Sequence, residues 1–303
     1  MNAKMETVFC GMTFKNPVTV ASGTFGSGME YGEYVDLNRL GAVTTKGVAD
    51  QPWSGNPTPR IAETPSGMLN AIGLQNPGID VFLERDLPYL QQFDTGIIVN
   101  VCGHSEEEYL NVVRRLAGER VDLLEINISC PNVRQGGISF GTEPKEVERI
   151  TRLIKEEAEQ PVVMKLSPNV TSITEIARAA EAGGADGLSL INTITGMKID
   201  TKTRRFVLAN KTGGLSGPAI HPVAVRMVYE VAHAVNLPII GMGGVTDAQS
   251  AAELILAGAT MVAVGTANFA EPAAVEAVVS GLEQYVSDSG AAQIGDLVGA
   301  AEG

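Results

Sequence analysis

The chain alternates between two hydrophobic periods. Short apolar runs, Val18 to Ala21, Ala42 to Thr45, Gly96 to Val99, Leu123 to Ile126, Val162 to Met164, Gly187 to Ile191, Pro238 to Met242 and Met261 to Val264, are separated by longer stretches in which apolar residues recur every three or four positions. A short continuous run reads as a strand buried on both faces, and the longer period as an amphipathic helix. Tyr109, Val112, Val113 and Leu116 fall on one helical face behind Ser105 and Glu108, which have the spacing of a capping box. Ser172 with Glu175 repeats the device ahead of Ile173, Ile176, Ala177 and Ala180, and Gly183 supplies the stop. Pro222 suits the first turn of a helix reaching about Val235, and Asp247 can cap one that ends before Gly258. Pro272 to Val286 reads as a last outer helix followed by a frayed tail.

Strands that alternate with helices imply a parallel sheet, and eight such units favour its closure over an open sheet. The expected fold is α/β, a (β/α)8 TIM barrel, as a single domain over residues 1–303 with inserted loops at the C-terminal face of the strands. Two stretches exceed the minimal repeat. Gly47 to Asp80 is rich in Pro, Gly and Asn, and Asn192 to Gly217 is polar with basic Lys202, Arg204 and Arg205. Connections of that length in a compact domain read as functional loops or lids.

Composition removes several function classes. A net charge of -13 repels a phosphate backbone, so nucleic acid is not an expected partner and any anionic ligand must be held by local cations. No apolar run approaches the roughly 20 residues of a membrane helix, and no basic segment leads into an apolar one at the start, so the expected location is the cytoplasm. The cysteines Cys10, Cys102 and Cys130 have no CxxC spacing, and His104, His221 and His233 stand alone. Neither disulfides, nor a zinc site, nor an iron-sulfur site is expected in this chain, and no metal.

Ligands of such barrels sit at the C-terminal ends of the strands. Along the chain those ends read Ser22, Lys46, Asn100, Asn127, Lys165 and Asn192, then Gly243-Gly244 and Gly265-Thr266. One polar residue at a strand end is ordinary; a ring of them around one mouth is a donor and acceptor set. Lys46 and Lys165 close nearly continuous apolar runs with no acid beside them in sequence, so their charges await an anionic ligand. The glycine turns follow the seventh and eighth runs, where barrels bind phosphate on backbone N–H groups at a helix start. Neither turn fits a dinucleotide fingerprint. Phosphate, amides and cations together suit FMN, whose ring needs hydrogen bonds along its pyrimidine edge and positive charge near the nitrogen that becomes anionic on reduction. Asn side chains match adjacent N–H and C=O groups of a pyrimidine. Cys130 lies three residues past Asn127, on a loop among polar residues, where a thiol can reach a bound ring; Cys10 and Cys102 read as small inert hydrophobes.

The segments NAIG and GLQNPG (Asn70 to Gly78), NISCPN around Cys130, KLSPN (Lys165 to Asn169), GGLSGPA (Gly213 to Ala219), GMGG and VGTANF together resemble the dihydroorotate dehydrogenases of class 1, from about Phe14 to Phe269. The resemblance implies that Cys130 takes a proton from C5 of dihydroorotate while hydride leaves C6 for the flavin. It implies FMN contacts at Ser22, Lys46, Gly47, Asn100, Asn127, Lys165, Ile191, Gly217, Gly243, Gly244, Gly265 and Thr266. Substrate contacts are implied at Lys46, Asn70, Ala71, Ile72, Gly73, Leu74, Asn127, Asn192 and Thr193. Asn132 to Gly137, with Arg134, Gln135 and two glycines, is similar to the NAD-linked members, in which a partner subunit carries FAD and an iron-sulfur cluster and two catalytic chains join two partners. The alternatives are the fumarate-linked class acting without a partner, and a related flavin barrel acting on other pyrimidines or on tRNA.

Overall fold

The computed structural model describes residues 4–128, 134–135, 138–139 and 141–302. Eight strands form one parallel sheet: β1 (Val18–Val20), β2 (Ala42–Thr44), β3 (Gly96–Val101), β4 (Leu123–Asn127), β5 (Val162–Lys165), β6 (Gly187–Leu190), β7 (Ile239–Met242) and β8 (Met261–Val264). They are ordered β1-β8-β7-β6-β5-β4-β3-β2, so every strand lies beside its sequence neighbour. The remaining seam is bridged by the Gly41 N–H donating to the Val18 carbonyl at 3.0 Å and by the Thr19 and Thr44 hydroxyls 3.0 Å apart. The fold is the (β/α)8 barrel that the alternation implies.

Both faces of these strands are buried because successive residues point to opposite sides. Val99, Leu124, Ile126, Val162, Met164, Val262 and Val264 face outward to the helix layer, while Ala42, Ile98, Leu123, Val163, Ile240, Met261 and Ala263 fill the interior. A helical stretch over residues 79–90 follows β2, and the longer outer helices are α1 (Glu106–Leu116), α2 (Pro144–Glu157), α3 (Ile173–Ala182), α4 (His221–Ala232), α5 (Ala248–Leu256) and α6 (Ala274–Ser289). An N-terminal hairpin, Thr7–Phe9 with Met12–Phe14, places Phe9 and Phe14 in the interior cluster. Gly96 and Gly187 begin β3 and β6, and a Cβ on either would strike Phe14 or Phe9 at 2.5 or 3.0 Å. The hairpin therefore plugs the N-terminal end of the barrel and leaves the C-terminal end for ligands.

Several local expectations change. Ser105 and Ser172 do cap α1 and α3, accepting from the N–H groups of Glu108 and Glu175, but Glu108 turns back to the His104 N–H instead of closing the box. The reciprocal box forms at α5, between Asp247 and Ser250. α4 stops at Ala232, short of Val235. The tail is docked and not frayed: Ile294 is buried, and the Gly299 and Ala301 N–H groups donate to the carbonyls of Ile255 and Leu256 at 3.0 and 3.2 Å. Isolated apolar residues such as Ile294 carry no period by which a sequence reading could find them.

The two long connections are not independent loops. Ile61–Thr64 and Gly67–Asn70 from the first pair with Thr212–Ser216 and Ile194–Met197 from the second in one four-stranded antiparallel sheet. Gly214 pairs with Asn70 and Leu215 with Leu69, over a small core of Ala62, Leu69, Ala71 and Leu208. The basic residues Lys202, Arg204 and Arg205 are exposed around a separate hairpin, Ile199–Asp200 with Arg205–Phe206. Among the described residues no helix is long and apolar enough to cross a membrane.

Candidate active site

Strand alternation determines which polar residues enter the barrel. Glu125 and Asn127 share the inward face of β4, and the register sets Asn100 of β3 against Glu125 and Lys165 of β5 against Asn127. Four polar side chains therefore meet above the apolar interior. Lys165, only 3% exposed, crosses the barrel mouth: its Nζ donates to Ser22 Oγ, just beyond β1 on the opposite wall, at 3.0 Å. It also lies 3.3 Å from Glu125 Oε2, which accepts from Asn100 Nδ2 at 2.5 Å. Asn127 Nδ2 is 3.4 Å from Asn100 Oδ1, and the Asn127 carbonyl accepts from the Tyr109 hydroxyl of α1 at 2.8 Å.

Glu125 corrects the reading of the lysines. Lys165 does have a carboxylate partner, on the neighbouring strand and forty residues away in sequence. The sequence signal was an acid between apolar Leu124 and Ile126 in the run LLEIN. Lys46, by contrast, is held by its backbone, whose N–H donates to the Gly26 carbonyl at 2.7 Å. Burial lowers its amine below the ordinary lysine range, the charge of Arg60 lowers it further, and Cys102 partly opposes them.

Above this layer opens a cavity of about 670 Å³. Ser22, Lys46, Gly47, Asn100, Asn127, Lys165, Ile191, Gly217, Gly243, Gly244, Gly265 and Thr266 line it, as do Asn70 through Leu74, Asn192 and Thr193. Its floor is the strand-end ring, and its roof includes the antiparallel sheet through Met68, Thr212 and Ser216. One wall is made of backbone. Gly217 and Gly244 adopt φ of +94° and +74°, and a Cβ on Gly244 would lie 2.9 Å from the Gly217 carbonyl oxygen. Both positions thus require glycine for conformation and for approach. The Thr266 hydroxyl donates to Ser216 Oγ at 2.8 Å and ties this wall to the roof.

The two glycine turns are not equivalent. α5, after the Gly243-Gly244 turn, is capped by its own Asp247, whose carboxylate accepts from the Ser250 N–H and sets a negative charge at that helix start. The turn after β8 leads through Thr266 into a short helix, Ala267–Ala270, without a side-chain cap. His221 buttresses the first turn by donating from Nδ1 to the Gly243 carbonyl at 2.8 Å. The cavity-lining stretch Asn70 to Leu74 is set from behind: the Asn56 N–H donates to the Ile72 carbonyl at 3.0 Å and Asn56 Nδ2 to the Ala71 carbonyl at 3.0 Å.

Cys130 lies outside the described residues. Of the other cysteines, Cys102 is fully buried, and burial together with Asp186 pushes the Cys10 thiol up to about 12. His104 packs on Trp53 with ring centroids 3.8 Å apart, and His233 packs on Tyr229 at 4.1 Å. Among the described residues no group of His, Cys, Asp and Glu could hold a metal ion. Position at the strand ends found the floor; Asn169, which bridges the Thr193 carbonyl and the Thr195 N–H at 2.9 Å each, sits in the quoted KLSPN segment but carried no role there.

Residues 4–286 match the family model described as Dihydroorotate dehydrogenase. The chain is 66% identical to the dihydroorotate dehydrogenase B (NAD(+)) catalytic subunit of Lachnoclostridium phytofermentans, over 97% of this chain and 98% of that one. It is 60% identical to the protein of the same name from Alkaliphilus metalliredigens, over 93% of each chain, and 53% identical to that of a Geobacter species, over 98% of each.

Proposed function

The chain belongs to the dihydroorotate dehydrogenase family, and we propose that it oxidises (S)-dihydroorotate to orotate in pyrimidine biosynthesis, with FMN in the cavity at the barrel mouth and NAD as the final acceptor. The observation that carries this reading is the convergence of two lysines, three strand-end amides and a glycine wall on one cavity. The donor chemistry fits FMN. Asn100 and Asn127 present amides, Lys165 and Lys46 supply positive charge, Ser22 adds a hydroxyl, and Gly217, Gly244 and Gly265 line the cavity with backbone beside Thr266, a wall suited to a phosphate. When bound, FMN supplies the acceptor for the hydride from C6.

The chain's own residues do the rest. Cys130 removes the proton from C5; an ordinary thiol, with a pKa near 8.5, can do so close to neutral pH. Lys46 neutralises charge on both ligands, and Asn70 through Leu74 with Asn127, Asn192 and Thr193 orient the substrate ring. The antiparallel roof excludes water.

The burial of Lys46 gives a pH dependence. A lysine whose pKa is depressed loses its proton before the pH reaches the ordinary 10.5, and the orotate anion then loses its counter-charge. Orotate affinity, followed by the change it causes in flavin absorbance, is expected to fall with rising pH in the alkaline range below 10.5. Lys46→Arg, which holds its charge throughout, should flatten the curve. A flat curve for the unaltered protein would exclude Lys46 from anion binding.

NAD requires a second subunit in this account, because the sequence carries neither a dinucleotide fingerprint nor cysteines spaced for a cluster. That partner carries FAD and an iron-sulfur cluster, two catalytic chains assemble with two partners, and the complex works in the cytoplasm. The test is turnover of dihydroorotate with NAD or fumarate, with and without the partner. NAD reduction only when the partner is present is the expected result. Efficient turnover with fumarate by the chain alone would overturn the assignment, and a preference for dihydrouracil would overturn the substrate.

A further inference from the structure

Glu125 is a carboxylate in a place where packing alone asks for an apolar side chain. It is 1% exposed at the middle of β4, one layer beneath the cavity, and does not line it. Its strand neighbours Leu124 and Ile126 face the outer core, so Glu125 is the one inward position of β4 between apolar Leu123 and cavity-lining Asn127. Replacing a buried ion pair by apolar residues of similar volume is often neutral or stabilising, so stability does not account for the pair. Its contacts point elsewhere. A single oxygen, Oε2, accepts from Asn100 Nδ2 at 2.5 Å and lies 3.3 Å from Lys165 Nζ. With its NH2 turned down to Glu125, the Asn100 amide presents Oδ1 toward Asn127 and the cavity. The same oxygen places a negative charge directly behind the ammonium that crosses the barrel mouth.

We propose that Glu125 is a positioning residue of the flavin site, fixing the orientation of the Asn100 amide and offsetting the charge of Lys165 so that reduced flavin is not over-stabilised. The inference rests on the FMN reading given above. A cation beside the ring favours the reduced, anionic flavin, and a carboxylate behind that cation moderates the effect in a site of low dielectric. NAD is a weak oxidant, so a flavin that must pass its electrons toward NAD has to be kept from holding them too tightly. Dihydroorotate supplies two electrons and a proton as hydride from C6, and Cys130 takes the second proton; Glu125 touches neither and shifts only the equilibrium of that transfer.

The experiment is Glu125→Gln, which keeps size and an oxygen for Asn100 but removes the charge. Flavin content, midpoint potential and the rates of reduction by dihydroorotate and oxidation by NAD are measured in the assembled enzyme. The expected result is retained flavin, a midpoint potential higher by about 30 mV for each tenfold gain in preference for the reduced cofactor, and slower electron transfer to NAD without slower reduction. A potential and rates equal to those of the unaltered enzyme would overturn the proposal. If Glu125→Gln does not retain flavin, Glu125→Asp decides: a normal potential there supports a requirement for the charge, and loss of flavin there too assigns Glu125 to barrel stability alone. Failure of the FMN reading itself would show in the unaltered protein, which would then take up no flavin.

Discussion

Cys130→Ala is expected to lose about 10²- to 10⁴-fold in turnover while keeping its flavin and its affinity for orotate. The loss is that of a general base, and it should appear in the rate of flavin reduction by dihydroorotate with little change in binding. Chain connectivity restricts where that base can act. Asn127 closes β4 and lines the cavity, and three residues of extended chain reach at most about 11 Å. No other cysteine can take the role: burial holds the Cys10 thiol at about 12, far from a working base near neutral pH, and Cys102 is sealed in the core. Cys10→Ala serves as the control and should turn over normally. Near-normal turnover by Cys130→Ala would refute the assignment.

The second large effect falls on stability. Lys165→Met leaves Glu125 as an uncompensated carboxylate at 1% exposure. Removing one partner of a buried pair costs about 3–5 kcal/mol, to be read from the urea midpoint with the dependence on denaturant checked for two-state behaviour. The double variant Lys165→Met with Glu125→Leu should recover most of that stability, because two apolar residues of similar volume leave no buried charge. Neither variant should retain flavin normally, since the cation at the barrel mouth is gone from both. A single variant as stable as the unaltered protein would show that the two side chains do not form an ion pair of any energetic consequence.

How far the sequence carries can be judged at particular residues. The barrel was legible because burial on both faces leaves a continuous apolar run for each strand, and because polar Asn100, Asn127 and Lys165 end those runs on the inward face. Boundaries moved by one or two residues: β3 runs on to Val101 and β5 takes in Lys165, since the ladder continues under the first polar residue. The antiparallel roof was not legible. Gly67–Asn70 and Thr212–Ser216 are short, rich in glycine and polar residues, and gain their strand character only by pairing with each other across more than a hundred residues. The docked tail around Ile294 was hidden for the same reason, with a single buried side chain and three backbone bonds, from Ile294, Gly299 and Ala301, in place of a pattern. Glu125 was visible as an acid within LLEIN, but its meaning depends on the register that sets Asn100 beside it and on Lys165 reaching it from β5. Family resemblance supplied the proposed roles of Cys130 and of the substrate-binding stretch; strand-end position independently selected most of the residues proposed to hold flavin.

Oxidation of dihydroorotate by flavin held at this barrel mouth is decided by an anaerobic titration of the purified protein with dihydroorotate, followed by its flavin absorbance. The absorbance is expected to bleach in proportion to added substrate until one equivalent per bound flavin is consumed, with one orotate formed for each flavin reduced. A protein that holds flavin but stays unbleached under excess dihydroorotate would contradict it.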